Sequence, residues 1–411
     1  MRTLPRRGRF CPSLLLCAVS TALYADPLVL DARDLAFSRE QIAQQQPMFV
    51  AAEKKLLIDA DAALKHPLRS VMEKTLVAAS GDKHDYYSFP PYWWPNPDTK
   101  DGLPYVRKDG QTNPDANSDA TDKNRLVKMS NDVWTLALAW YFTHDDRYAD
   151  KAAQQIQHWF LDPQSKMNPN LQYAQAIPGI NTGRGIGIID SRALVDVVDA
   201  IELLRPSGKI SDTQYQQLQA WYGDFWQWMT TSKNGFEEDN WHNNHGTYFD
   251  MQAATFALFS GHAEAAKERL KVTQLRRIAG QFDTEGRQMA ELERTRPWHY
   301  SNFNLEAYSR LGRLGEKAGV DIWNFELDGR SLRSGYQYIA GFIDSDAQWP
   351  WKDLDKWNDK KALFNIASAA HAWPKDSALQ QKAEWLRAKY PDDITTLIAP
   401  LPVSAAGGEK K

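Results

Sequence analysis

Apolar residues recur along most of the chain at helical rather than strand spacing. Over Asp132–His144, Val133, Trp134, Leu136, Ala137, Leu138, Trp140 and Tyr141 wrap much of a helix, the pattern of a segment buried on several sides. Ser130 stands where its N-cap is expected. Tyr148–Leu161 carries Ala152, Ile156 and Trp159-Phe160 on one face. The same periodicity predicts helices over Ser191–Leu204, Asp212–Thr231, Thr247–Phe259, Ala263–Ala279, Asn304–Ala318, Ser331–Ile343, Lys360–Ala372 and Asp376–Lys389, with two more before residue 80. Alternating strand-like runs are nearly absent. About a dozen helices in antiparallel pairs, without a sequence repeat, predict an all-α chain folded as an incomplete (α/α) toroid or barrel. In such a ring the inner helices are buried and the loops at one end build a cleft. No Pro/Gly/Ser-rich linker divides the chain, so residues 26–399 are expected to form one domain.

Two long irregular stretches interrupt the helices. Gly81–Lys128 is rich in Pro, Asp, Asn and aromatic residues, and Met167–Asp190 contains Gly183-Arg184-Gly185-Ile186-Gly187. Loops of this length in a compact domain are functional or disordered, and their aromatic content argues for function. The tail 400–411 is expected to be flexible. At the other end, Arg2, Arg6, Arg7 and Arg9 precede a short apolar stretch, Phe10–Leu23, too short to cross a bilayer. Residues 1–25 therefore read as a secretory signal peptide cleaved after Ala25. That places the mature protein in the periplasm or outside the cell.

Composition narrows the function. The formal charge of −3 falls to −7 once the four leader arginines are removed, which argues against a nucleic-acid partner. Both cysteines, Cys11 and Cys17, leave with the leader, so no disulfide or thiol nucleophile is expected. No later apolar run spans a membrane, and nothing calls for an obligate protein partner. Sixteen each of Trp, Tyr and Phe suit a large core or a groove that stacks on sugar rings.

Three segments concentrate possible chemistry. Asp239-Asn240-Trp241-His242-Asn243-Asn244-His245-Gly246-Thr247-Tyr248 leads into a helix. Asn243 or Asn244 would cap it, His245 would sit in its first turn, and the helix end favours a bound anion. An ordinary polar loop with an Asn cap fits the same residues. Glu291-Leu292-Glu293-Arg294-Thr295-Arg296-Pro297-Trp298-His299-Tyr300 gathers Arg, His and Tyr. A positive charge beside a phenol favours the phenolate and equips it for proton transfer; an Arg–Glu surface network is the plain alternative. Tyr86 to Pro97, with Tyr92, Trp93 and Trp94, is a Pro-stiffened aromatic loop suited to pyranose faces or to packing on the rim. Two weaker signals carry less. The glycine spacing around Arg184 is not a dinucleotide fingerprint, though Arg184 itself suits an acidic substrate. His242 and His245 with Glu237, Glu238 or Asp239 do not make a closed metal-ligand set, and no metal is expected.

Asn243-Asn244-His245 opening a helix, followed by Arg294, Arg296 and His299-Tyr300, resembles the alginate lyase superfamily with its α/α toroid. Tyr87-Ser88 through Pro91-Tyr92-Trp93-Trp94-Pro95-Asn96-Pro97, then Gly102-Leu103-Pro104-Tyr105, looks like the branch classed as polysaccharide lyase family 38; Ser130-Asn131-Asp132-Val133-Trp134 and Asn181-Thr182-Gly183-Arg184 fit it too. The resemblance implies a cofactor-free lyase of 1,4-linked uronate polymers, alginate rich in β-mannuronate first and glucuronan second. It implies that Asn244 and His245 neutralise the uronate carboxylate, with Arg294 or Arg296, and that Tyr300 is the catalytic acid and also a candidate base. Arg184, His299, Tyr92, Trp93, Trp94, Asn243 and Tyr248 are then expected to contact the acidic polysaccharide. A toroid glycoside hydrolase would instead need two opposed carboxylates among Glu291, Glu293, Asp239 and Asp250. A non-catalytic glycan-binding protein is the third reading.

Overall fold

The computed structural model describes residues 25–401; the predicted leader, save Ala25, both cysteines and residues 402–411 lie outside the described residues. Helices α1 (Ala32–Ala43) and α2 (Pro47–Leu64) precede the first irregular stretch. The ring continues with α3 (Lys123–Thr143), α4 (Asp146–Phe160), α5 (Leu194–Leu204), α6 (Asp212–Thr231), α7 (Lys233–Asp239), α8 (Asn244–Phe259) and α9 (Ala263–Val272). It closes with α10 (Ala279–Gln281), α11 (Met289–Leu292), α12 (Pro297–Ala318), α13 (Leu332–Ala340), α14 (Leu363–Ala372), α15 (Ser377–Lys389) and α16 (Thr395–Ile398).

Local chemistry starts and stops these helices. The Asp31 and Asp145 side chains accept the amides of Arg33 and Arg147, and Ser211 with Gln214 forms a reciprocal capping box. Gly319 ends α12 in the left-handed conformation that glycine adopts without steric cost. Helix α3 begins seven residues before Ser130, so Ser130 is an interior residue rather than a cap. Charged Lys123 and Arg125 hide that first turn from an apolar-period reading; Arg125 is buried there by its bonds to Asp122 and Glu73.

The helices are arranged as the toroid predicts. Along the inner wall α3 touches α5, α5 touches α8, α8 touches α12 and α12 touches α14, while α16 and α2 carry the wall back to α3. Helices α4, α6, α9, α13 and α15 pack outside. Burial follows the layers: α5 is buried at every position but Asp196, whereas α4 buries one face only. Much of the aromatic load lies between α4, α6 and α8, where Phe160, Trp221, Tyr222, Phe225 and Phe256 meet edge-to-face and tilted. Asp199 on α5 ties down the incoming chain. Its carboxylate accepts the amides of Leu28 at 2.6 Å, Val29 at 3.1 Å and Leu30 at 2.7 Å.

The two irregular stretches are ordered against each other. Trp93–Trp94 pairs antiparallel with Val106–Arg107, a short β1–β2 ribbon, and Tyr87 bridges Tyr173. Lys74 and Asp122, both wholly buried, pair at 2.9 Å, and Asp122 also accepts the Tyr87 amide at 3.0 Å. A second ribbon, β3 (Glu326–Leu327) with β4 (Arg330–Ser331), lies between α12 and α13. Gly187 presses on the backbone of Ala174 closely enough to exclude a side chain, which accounts for one glycine of the Gly183–Gly187 run without any phosphate role.

Candidate active site

The start of α8 supplies one wall of a cavity of about 650 Å³. The Asn243 side chain caps the helix by accepting the His245 amide at 3.1 Å. Asn244 is buried, and its backbone amide and side-chain amide both donate to the Glu291 carboxylate, at 2.6 Å and 2.9 Å. Glu291 sits on α11, wholly buried. Burial pushes its pKa up to about 6 against the opposing Asn244 hydrogen bonds. His245 Nδ1 lies 2.9 Å from Glu238 Oε1 on α7, so Nδ1–H donates there and Nε2 is left without a protein partner among the described residues. The second Glu238 oxygen is buried without a donor among the described residues, and burial raises that carboxyl despite His245. Arg277 buttresses the turn before α8 through Asp250, Asp239 and the Trp241 carbonyl. Gly246 is required beside it, because a Cβ there would overlap the Trp241 oxygen.

The start of α12 supplies the facing chemistry. Pro297 occupies the first helical turn, so His299 and Tyr300 lie on the helix rather than in the loop predicted to precede Asn304. The Tyr300 hydroxyl hydrogen-bonds the Tyr92 hydroxyl across more than two hundred residues of sequence. Arg294 lies 3.8 Å over the Tyr300 ring and is itself held by Asp109 at 2.9 Å. Burial raises the Tyr300 pKa, and Arg294 only partly offsets it. Contrary to the expectation from a neighbouring Arg, desolvation outweighs the charge, and the resting phenol is protonated. His299 stacks on Phe303, and burial with the charges of Lys361 and Arg296 pushes its pKa down to about 3, so its imidazole is neutral.

Of the residues singled out in the sequence, Tyr92, Trp93, Arg184, Asn243, Asn244, His245, Arg294, His299 and Tyr300 line this one cavity. Three stand elsewhere. Tyr248 is buried under the helix and donates its hydroxyl to the Phe303 carbonyl at 3.0 Å. Trp94 directs its indole N–H to the Gln111 carbonyl, outside the lining. Arg296 is paired with Asp355 at 2.9 Å and is likewise outside it, though it reaches the Tyr92 hydroxyl at 3.5 Å. Asp109, Lys123 and Arg192 were missed as site residues, Glu238 was weighed only as an acid of a rejected metal set, and Glu291 was read only as a hydrolase carboxylate. Each is a single charged residue without a local motif, and only the fold pairs it with the site.

The family model described as Alginate lyase matches residues 70–349. The chain belongs to the alginate lyase family. An alginate lyase structure from Bacteroides ovatus is 36% identical with a TM-score of 0.87, covering 92% of this chain and 100% of that one. Alginate lyase A1-III from Sphingomonas species A1 is 16% identical with a TM-score of 0.54, covering 93% and 98%; that likeness speaks for the fold. No curated protein sequence matches the chain. As an alginate lyase family member the protein is a polysaccharide lyase, and its all-α ring is the fold of its relatives. No helix among the described residues is long and apolar enough to cross a membrane.

Proposed function

We propose that the protein cleaves 1,4-linked uronate chains by β-elimination, with poly-β-mannuronate of alginate as its preferred substrate. One observation carries this reading: Asn244, His245, Arg294 and Tyr300, from two distant helix starts, meet in one cavity. A polymer carboxylate beside Asn244, Arg294 and a His245 ring that carries both protons, Nδ1–H on Glu238 and Nε2–H on the substrate, is neutralised, which stabilises the enolate-like charge as the C5 proton leaves. Tyr300, a neutral phenol at rest, protonates the departing C4 oxygen. To take the C5 proton as well it first gives up its own to solvent, and the proton it then takes from C5 is the one it passes to the C4 oxygen; Arg294 over the ring stabilises the phenolate in between. In β-mannuronate the two groups lie on one face of the sugar, within reach of one phenol. In guluronate they lie on opposite faces, and His245 Nε2 becomes the base. The Sphingomonas enzyme that shares the fold has been solved, as a variant, complexed with a tetrasaccharide.

The hydrolase reading finds no pair of free carboxylates. Asp250 is wholly buried and bound by Arg277 and Thr273, Asp239 is tied by Arg269, Arg276 and Arg277, and Glu291 is spent on Asn244, which leaves Glu293 in the lining without a free partner among the four. The test is ultraviolet absorbance of the 4,5-unsaturated product on poly-mannuronate, poly-guluronate, glucuronan and hyaluronan. Fastest turnover on poly-mannuronate is expected. Glucuronan as the best substrate would reassign the preference, and no unsaturated product from any of them would overturn the reading. Residues 1–25 are proposed to direct export, with Asp26 as the first residue of the mature protein found by N-terminal sequencing.

A further inference from the structure

A different wall of the cleft carries positive charge that no step above uses. Arg184, Lys123 and Arg192 all line the cavity around the single buried carboxylate of Asp190. That carboxylate is already occupied by neutral donors: Ser88 Oγ at 2.6 Å, Gln175 Nε2 at 2.9 Å and Tyr86 Oη at 3.2 Å. Lys123 Nζ comes no nearer to it than 4.0 Å, beyond hydrogen-bond range. Arg184 donates Nη2 to Gln175 Oε1 at 2.8 Å, but its buried Nε has no acceptor among the described residues. Arg192 donates to the Ile189 carbonyl at 3.2 Å and lies 5.3 Å over the Phe303 ring. Of the other acids, Glu237 takes the Gly185 amide at 3.0 Å and Glu238 takes His245 with one oxygen, while Glu293, also in the lining, is exposed and belongs to the segment that carries Arg294. Half-buried cations that share one distant carboxylate are costly, and burial indeed drags Arg184 down to about 10 and lowers Lys123, although Asp190 partly offsets both. The scaffold nevertheless holds them firmly. Gln175 keeps a left-handed backbone at φ 49° with its amide bonded to Ser88 Oγ at 2.8 Å, the kind of strain found where a group must be aimed.

We propose that Arg184 and Lys123 form a second carboxylate station, which takes the acid group of the uronate adjoining the one at His245 and so selects polymers with an acid on every residue. This rests on the uronate-lyase reading. The station binds substrate in ground state and transition state alike, so its loss appears in KM more than in kcat. Steady-state kinetics on poly-mannuronate test it, with Arg184→Gln, Arg184→Lys and Lys123→Met compared with wild type. Arg184→Gln and Lys123→Met are each expected to raise KM about tenfold or more, the usual weight of a charge-assisted hydrogen bond, with kcat changed less than about threefold. Arg184→Lys restores part of the loss, and the salt dependence of kcat/KM becomes shallower in the neutral variants. Unchanged KM in both neutral variants overturns the proposal, as does a fall in kcat at constant KM. Thermal melting separates a folding defect in Arg184→Gln, and Lys123→Met then decides alone. If wild type makes no unsaturated product, the lyase reading fails; affinity electrophoresis of the same variants in gels containing poly-mannuronate still decides the station, which stands if their retardation is lost and falls if it is kept.

Discussion

Asp199 and Glu238 are both wholly buried carboxyls, one on α5 and one on α7, and their surroundings differ in kind. Asp199 is saturated by three backbone amides of the incoming chain, at residues that pack into the core. Glu238 has one oxygen on the His245 imidazole and the other without a donor among the described residues. Backbone donors cannot move without unfolding, whereas an imidazole that lines a cavity passes its partner's charge to whatever enters. A fully satisfied buried acid is an anchor; an under-satisfied one bonded to a cavity side chain is part of the site.

That contrast can be broken experimentally. The largest effect is expected from Tyr300→Phe, which should cut kcat by about 10³-fold or more while leaving oligomannuronate binding and melting nearly intact. Turnover close to wild type would remove the phenol from the chemistry. His245→Ala should lower kcat by on the order of 10²-fold. Glu238→Gln should lower it by about tenfold or more, since the ring then loses the partner that fixes its tautomer; a harmless Glu238→Gln would make Glu238 another anchor and erase the distinction. Asp199→Asn should do the reverse. It leaves one oxygen for three donors and should cost about 1–3 kcal/mol in denaturant unfolding, with kcat per folded molecule unchanged. The smallest effect concerns pH. Glu291, with a pKa near 6 against an ordinary 4.5, binds its proton in the folded state first. As pH falls through about 6, kcat should drop because the Asn244 amides lose a carboxylate acceptor. Over the same window this group's contribution to stability should rise, because the folded state takes up more protons than the unfolded one. An acid limb in kcat that persists in Glu291→Gln would assign it to another group.

The ring was legible because helical periodicity is carried by many residues at once. Boundaries were less so. Pro297 starts α12 within a stretch whose Arg, Trp and His content reads as loop, and that start is what puts Tyr300 on a rigid helix. At the site, Asn244, His245 and Tyr300 announce themselves by local context, as a cap position and a dense polar cluster. Their supports do not. Glu291 reaches Asn244 across 47 residues and Asp109 reaches Arg294 across 185, and no spacing rule encodes such pairs. The ionisation of Tyr300 was also beyond the sequence, which shows the neighbouring Arg but not the burial that outweighs it.

Helix α7 is only seven residues long, yet its consecutive Glu237 and Glu238 grip the Gly185 amide beside Arg184 and the His245 ring. The backbone that carries Arg184 and the His245 imidazole are thus both referenced to one short rod. On the proposed reading, with acid groups received at both places, the protein would act as a fixed-jaw calliper: chains whose negative charges recur at another interval would engage one jaw only and seat more weakly, so selectivity would be exercised by fit before any bond is broken.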